Sequence, residues 1–175
     1  HPLLGTEEML KYSGMLVDDL KKAPPKKGIR LLWMHTIPYF QEPLRERLNF
    51  NEKCQIIACD MNFENIVETD PEKPYESMAR RIVMSRFNGS SDNRINKAIE
   101  MSKLMDIDGV IYFCHWGCKN TIGGAGLVRD RLEQEGIPML TLDGDGCDRR
   151  NINDGQMRTR LEAFLELLEE RRRAR

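Results

Sequence analysis

Asp108-Gly-Val-Ile-Tyr-Phe-Cys114-His115-Trp116-Gly117-Cys118-Lys119 is the stretch whose reading decides the fold. Its first half, Val110 to Phe113, is a short β-branched and aromatic run bounded by Asp-Gly, the pattern of a buried strand. Two cysteines, a histidine and a tryptophan follow at the strand's carboxyl end, where open α/β sheets bind their ligands. Soft ligands beside a flat aromatic point to a metal or cofactor site. Taken singly, Cys114 also reads as an apolar filler and Trp116 as a lid on the core.

Outward from this stretch, strands and helices alternate. Toward the N-terminus lie strands at Ile29–Met34 and Cys54–Cys59. A helix opens at Thr6-Glu7-Glu8 with Met9, Tyr12, Leu16 and Leu20 at helical spacing, and stops at Ala23-Pro24-Pro25. Lys21, Lys22, Lys26 and Lys27 flank that stop as a solvated linker. Leu44 and Leu48 sit one turn apart after Pro43. Pro71 to Pro74 reads as a loop; Met78, Ile82, Val83 and Phe87 form one helix, and Ser90-Ser91 caps another that carries Ile95, Ala98, Ile99 and Met105. Toward the C-terminus, a helix with Val128 and Leu132 precedes a fourth strand at Met139–Leu142. A last helix, capped by Asp154, carries Met157, Leu161, Phe164 and Leu168. Glu169 to Arg175 reads as a fraying charged end. This alternation predicts an α/β, Rossmann- or flavodoxin-like three-layer domain on a four-stranded, mainly parallel sheet. Residues 1–28 read as an N-terminal helix and linker, and residues 29–175 as the domain.

The chain has 175 residues, 40% apolar and 31% charged, with a net charge of −1. One full core fits that length. The charge gives no attraction to nucleic acid or anionic membrane, and no apolar run approaches the roughly 20 residues of a span. Five cysteines without regular spacing argue against a disulfide framework. With ten methionines, they point to a reducing, cytoplasmic setting. A start on His1-Pro2, with neither an initiator methionine nor a signal sequence, reads as a processed or excised piece.

Several motifs compete for the function. Gly123, Gly124 and Gly126 stand where a phosphate loop would open a helix, without the G-x-G-x-x-G spacing. Asp143-Gly-Asp145-Gly-Cys147-Asp148 starts like a calcium loop and then fails at Cys147 and Asp148. Cys114 and Cys118 are not a C-x-x-C pair; a zinc site from Cys114, Cys118, Cys147 and a histidine stays open. Cys54 and Cys59 straddle an extended strand and read as small buried hydrophobes. His35 ends the first strand and reads as a satisfied polar residue.

Two segments together are more specific. Asp108 to Lys119, with Gly136-Ile-Pro-Met-Leu-Thr-Leu-Asp143-Gly-Asp145 and Gly155-Gln-Met-Arg-Thr-Arg-Leu-Glu-Ala-Phe164, resembles the C-terminal part of the 2-hydroxyacyl-CoA dehydratase family, which includes the benzoyl-CoA reductase subunits. The resemblance implies Rossmann-like domains and a [4Fe–4S] cluster whose ligands are shared with a preceding N-terminal domain. Cys118 matches this domain's cluster cysteine. Cys114, His115, Trp116 and Gly117 then surround the cluster's sulfurs, with Asp143, Asp145 and Arg160 as structural supports. It also implies an acyl-CoA substrate, a partner subunit of the same family and an ATP-dependent iron–sulfur activator. The reaction implied is radical dehydration of a 2-hydroxyacyl-CoA after one-electron activation, with the isolated piece inactive. The alternatives are a flavodoxin-like domain holding a phosphate-bearing ligand at Gly123–Gly126, and a zinc-stabilised interaction domain.

Overall fold

In the computed structural model, which describes residues 6–24, 27–48, 51–62, 69–151 and 153–174, the decisive run is the third strand of a four-stranded sheet. The strands are β1 (Ile29–Met34), β2 (Cys54–Cys59), β3 (Gly109–His115) and β4 (Met139–Gly144), in spatial order β2-β1-β3-β4. Every neighbouring pair is parallel. All four carboxyl ends therefore share one edge. The order reverses between β1 and β3, which makes their carboxyl ends the topological switch point.

Side chains alternate across a strand, and both faces are covered. On one face Leu31 and Trp33 of β1 and Ile111 and Phe113 of β3 pack with α2 (Glu42–Leu48) and α6 (Asp154–Ala174), through Leu44, Leu48, Leu161 and Leu168. Trp33 and Phe113 stack with centroids 6.1 Å apart. On the other face Leu32, Met34, Val110 and Tyr112 pack with α4 (Ser91–Leu104) and α5 (Lys119–Gln134), through Ile95, Ala98, Val128 and Leu132. Gly109 lets α6 close onto β3: a Cβ there would stand 2.8 Å from both Leu168 and Phe164.

Two helices stand apart from this core. No residue of α1 (Glu7–Lys22) is buried, and Tyr12, Leu16 and Leu20 are about 60% exposed. α3 (Pro74–Val83) buries only Ser77 and leaves Tyr75, Met78 and Ile82 in solvent. Helical spacing found both helices, but their apolar stripes stand largely in solvent rather than in the core.

The structure corrects several boundaries. Pro74 opens α3 rather than closing a loop, and Phe87 lies beyond its end. Asn153, not Asp154, caps α6: its Oδ1 accepts the Gln156 amide at 3.2 Å. The charged end does not fray, because α6 runs to Ala174 and Arg172 reaches Asp108 at 3.6 Å. His1–Gly5, Pro25, Lys26 and Arg175, on which the reading of the chain start, part of the linker and the last residue rested, lie outside the described residues. Among the described residues, no helix is long and apolar enough to cross a membrane.

Candidate functional site

The loop after β3 is built by its backbone. The Trp116 amide donates to the Gly144 carbonyl at 2.9 Å, extending the β3–β4 ladder by one rung. Gly117 then takes φ +80, a left-handed turn that a side chain would strain. The Cys118 amide closes that turn on the His115 carbonyl at 3.0 Å, and Cys118 becomes the N-cap residue of α5.

The two cysteines of this stretch occupy opposite environments. Cys118 is partly exposed, and its pKa lies below the ordinary thiol value. The Thr121 hydroxyl and amide, then the Asn120 amide, favour its thiolate, as helix N-termini do. Cys114 is buried on β3, and burial, with Asp143 and Cys118 adding to it, raises its pKa. Its Sγ donates to the Thr121 carbonyl at 3.6 Å. Trp116 stands about half exposed at the loop's tip.

The loop after β4 locks onto this one. The Gly146 amide donates to His115 Nδ1 at 2.8 Å, which places the neutral ring's proton on Nε2. Asp145 accepts the Cys147 amide at 2.8 Å, the Asp148 amide at 3.0 Å and Asn151 Nδ2 at 2.9 Å. Those three donors, the Asn151 side chain foremost, pull its pKa down to about 2. Asp143 pairs with Arg160 at 2.7 Å, and Arg160 also donates to the Thr141 carbonyl.

Three expectations change here. Gly123, Gly124 and Gly126 form no loop: α5 begins at Lys119, so all three lie inside the helix. The glycines masked a start set instead by the Gly117 turn and the Cys118 cap. The proposed zinc set is not gathered either. Among the described residues, the group close enough to share an ion is His115, Asp145 and Cys147, with ligand atoms within 4.8 Å, and it omits Cys114 and Cys118. In that trio His115 Nδ1 and both Asp145 oxygens are already occupied by the loop's own donors. Finally, His35 is not a satisfied residue. Its backbone sits at φ +81 and its buried Nδ1 has no hydrogen-bond partner among the described residues.

Sequence reading missed what holds His35. Asp60, the first residue after β2, accepts the His35 amide on Oδ1 at 2.8 Å and Arg94 Nε on Oδ2 at 2.7 Å. The Arg94 guanidinium lies over Phe87 and Tyr112, at 4.9 and 5.5 Å from their ring centroids. Burial, and after it Arg94, lowers the His35 pKa, keeping the imidazole neutral. The one usable signal was position: Asp60 ends a strand on the same edge as His35 and Cys118. Cys54 and Cys59 are buried as expected, and burial pushes the Cys54 thiol up to about 12.

Parts of the chain are similar to known proteins. The chain is 24% identical over 102 residues to the lactoyl-CoA dehydratase subunit alpha of Anaerotignum propionicum, covering 56% of this chain and 24% of that protein. It is 28% identical over 100 residues to the (R)-phenyllactyl-CoA dehydratase alpha subunit of Clostridium sporogenes, covering 54% and 24%. The matched stretch thus spans about a quarter of each relative's length. The family model described as 2-hydroxyglutaryl-CoA dehydratase, D-component, matches residues 2–168, nearly the whole sequence. The chain belongs to that dehydratase family.

Proposed function

We propose that this chain is the C-terminal α/β domain of a 2-hydroxyacyl-CoA dehydratase subunit and that Cys118 is its ligand to a [4Fe–4S] cluster. The observation that carries the reading is the contrast between the two thiols at the end of β3. Cys118 is partly exposed and biased toward the thiolate, the form that binds iron; Cys114 is buried and held protonated. A four-iron cluster wants about four thiolates. Cys118 fits as one of them, and the others come from the preceding part of the subunit.

When bound, such a cluster supplies single electrons, here for a thioester whose 2-hydroxyl is to leave. The residues around Cys118 then have defined tasks. Gly117 turns the backbone so that the thiolate stands clear of the sheet. The Gly146 amide fixes His115 with its proton on Nε2, a donor for a sulfur or a substrate oxygen. Trp116, half exposed at the loop's tip, offers a flat apolar surface beside the cluster. The apolar faces of α1 and α3 are surfaces for the rest of the subunit or for a partner subunit of the same family. The electron arrives from a separate ATP-hydrolysing iron–sulfur activator.

The experiment is iron and sulfide analysis of the anaerobically purified complete subunit. Wild type and Cys54→Ser should be brown with equal iron, whereas Cys118→Ser should lose the cluster and the dehydration of 2-hydroxyacyl-CoA. Equal iron in Cys118→Ser and wild type ends the assignment. A colourless or flavin-loaded protein without iron would likewise end the assignment.

A further inference from the structure

A recess lies between α4, α5 and β3, on the face opposite α6. It is lined by Arg86, Ser90, Ser91, Arg94, Tyr112 and Asn120, among others. Its volume is about 390 Å³ including the open mouth, with about 30 Å³ at the base, enough for about two water-sized atoms. We propose that this recess binds a phosphate group.

Three observations carry the proposal. The first is Tyr112, which is 1% exposed yet whose hydroxyl makes no hydrogen bond among the described residues. Gly124, also in the lining, approaches that hydroxyl, since a Cβ there would stand 3.6 Å from it. A buried phenol normally finds an acceptor, and this one meets only the recess. The second is the N-terminus of α4, a 14-residue helix. Ser90 caps it by accepting the Asp92 amide, which leaves the Ser91 amide without a partner among the described residues. Helix starts of this kind bind anions. The third is charge. Arg94 and Arg86 bring two guanidinium groups to one small space, and Arg94 Nη2 makes no hydrogen bond of good geometry although it lies 2.7 Å from Asp60. Asp92, the acid in the helix's first turn, accepts the Ser90 hydroxyl on Oδ2 at 2.9 Å and meets Arg131 with Oδ1 at 3.3 Å, so Arg131 partly offsets its charge beside the helix start.

These donors come from β3 through Tyr112, from α4 through the Ser91 amide and Arg94, and from the segment before α4 through Arg86, a spread that suits a tetrahedral acceptor better than a planar carboxylate. The source is either free phosphate or the phosphate of a larger ligand; for the dehydratase reading, on which that arm rests, the larger ligand is the coenzyme A thioester.

The test is calorimetry and thermal shift on the purified protein with inorganic phosphate, coenzyme A, 3′-dephospho-coenzyme A and acetate. Phosphate should bind and raise Tm. Tyr112→Phe should weaken that binding about tenfold, the loss of one hydrogen bond to a charged group, without lowering Tm in the absence of ligand. Gly124→Ala, which narrows the recess on a helical position where alanine is favourable, should weaken binding while raising the unliganded Tm. If coenzyme A uses the recess through its 3′-phosphate, it loses affinity in Tyr112→Phe and dephospho-coenzyme A does not; if both lose affinity, the diphosphate is the group bound. If only inorganic phosphate responds to Tyr112→Phe, the recess takes the free ion. No phosphate binding, binding unchanged in both variants, or equal Tyr112-dependent binding of acetate overturns the proposal. None of these readouts involves iron, so its failure is separate from that of the cluster assignment.

Discussion

Arg94 and Asp60 form an ion pair sealed inside the carboxyl edge of the sheet: Nη2 and Nε each lie 2.7 Å from Asp60 Oδ2, and the side chains are 8% and 2% exposed. The pair joins α4 to the end of β2, and through the His35 amide it also fixes the end of β1. Removing one partner leaves a buried charge uncompensated, which costs about 3–5 kcal/mol. Arg94→Met should therefore lower stability by that amount in urea titration. Arg94→Met with Asp60→Asn should lose clearly less than the two single changes added together, because residues in direct contact couple. Additive losses would mean the charges do not interact as the geometry indicates.

The pair at Arg160 behaves differently. Arg160 meets Asp143 at 2.7 Å, as expected of an arginine bordering the apolar stripe of α6, but the side chains are 35% and 53% exposed. Water screens such a pair, so Arg160→Ala should cost less than about 1 kcal/mol, far below the cost of breaking a buried one. Arg158, two residues before it on α6, is equally shielded and binds Glu46 at 2.8 Å with Glu42 at 3.8 Å. Arg158→Ala should therefore shift the urea midpoint no less than Arg160→Ala does. A clearly larger loss for Arg160 would mean that its pair with Asp143 is shielded from water despite its exposure.

These two arginines show where sequence reading stopped. The strands and the helices packed on them were legible because apolar spacing follows the geometry of each element. It marked Met157, Leu161 and Leu168 on α6 and the run Val110 to Phe113 on β3. The Cys118 edge was legible because parallel strands share a carboxyl end. Partnerships across the sheet were not. Asp60 and Arg94 are 34 residues apart and carry no periodic signal. The glycine run from Gly123 misled because a helix start is set by its cap, here Cys118, and not by the flexibility of the residues that follow. The exposure of α1 was equally hidden, since a stripe shows that a helix is amphipathic but not what it meets.

Thiol chemistry separates the cysteines without any cluster. In a Cys147→Ser background, which removes the exposed thiol, iodoacetamide should modify Cys118 first. Its pH–rate midpoint should lie below that of an ordinary thiol, because the Thr121 and Asn120 donors favour the thiolate. Cys54 and Cys114 are buried, with pKa values raised by that burial, and should react only after unfolding. Mass mapping at increasing pH reads the order. Labelling of Cys114 ahead of Cys118 would contradict the environments described.

Asp145 sets the acid limit of the loop that fastens His115. Its folded pKa, about 2, lies below the ordinary 3.8, so the folded state holds its carboxylate more tightly than the unfolded chain does. A depressed carboxylate contributes stability that is fully present above the unfolded pKa. That contribution falls away as pH drops from about 4 toward 2. Asp148, Glu46 and Glu135 are depressed as well, so the acid limb of the wild type alone does not isolate Asp145. The difference between wild type and Asp145→Asn does. An amide replaces the charge that the Asn151 side chain and the Asp148 and Cys147 amides stabilise, so the variant should be less stable at pH 7. That deficit should shrink steadily below about pH 4 as the wild-type carboxylate takes up its proton. The His115 ring, released from a loosened Gly146 amide, should show a shifted imidazole resonance in the variant at neutral pH. Urea titrations at stepped pH measure the first effect and proton NMR the second. A stability deficit that stays constant across the acid range would mean that Asp145 acts through shape alone, not through its charge.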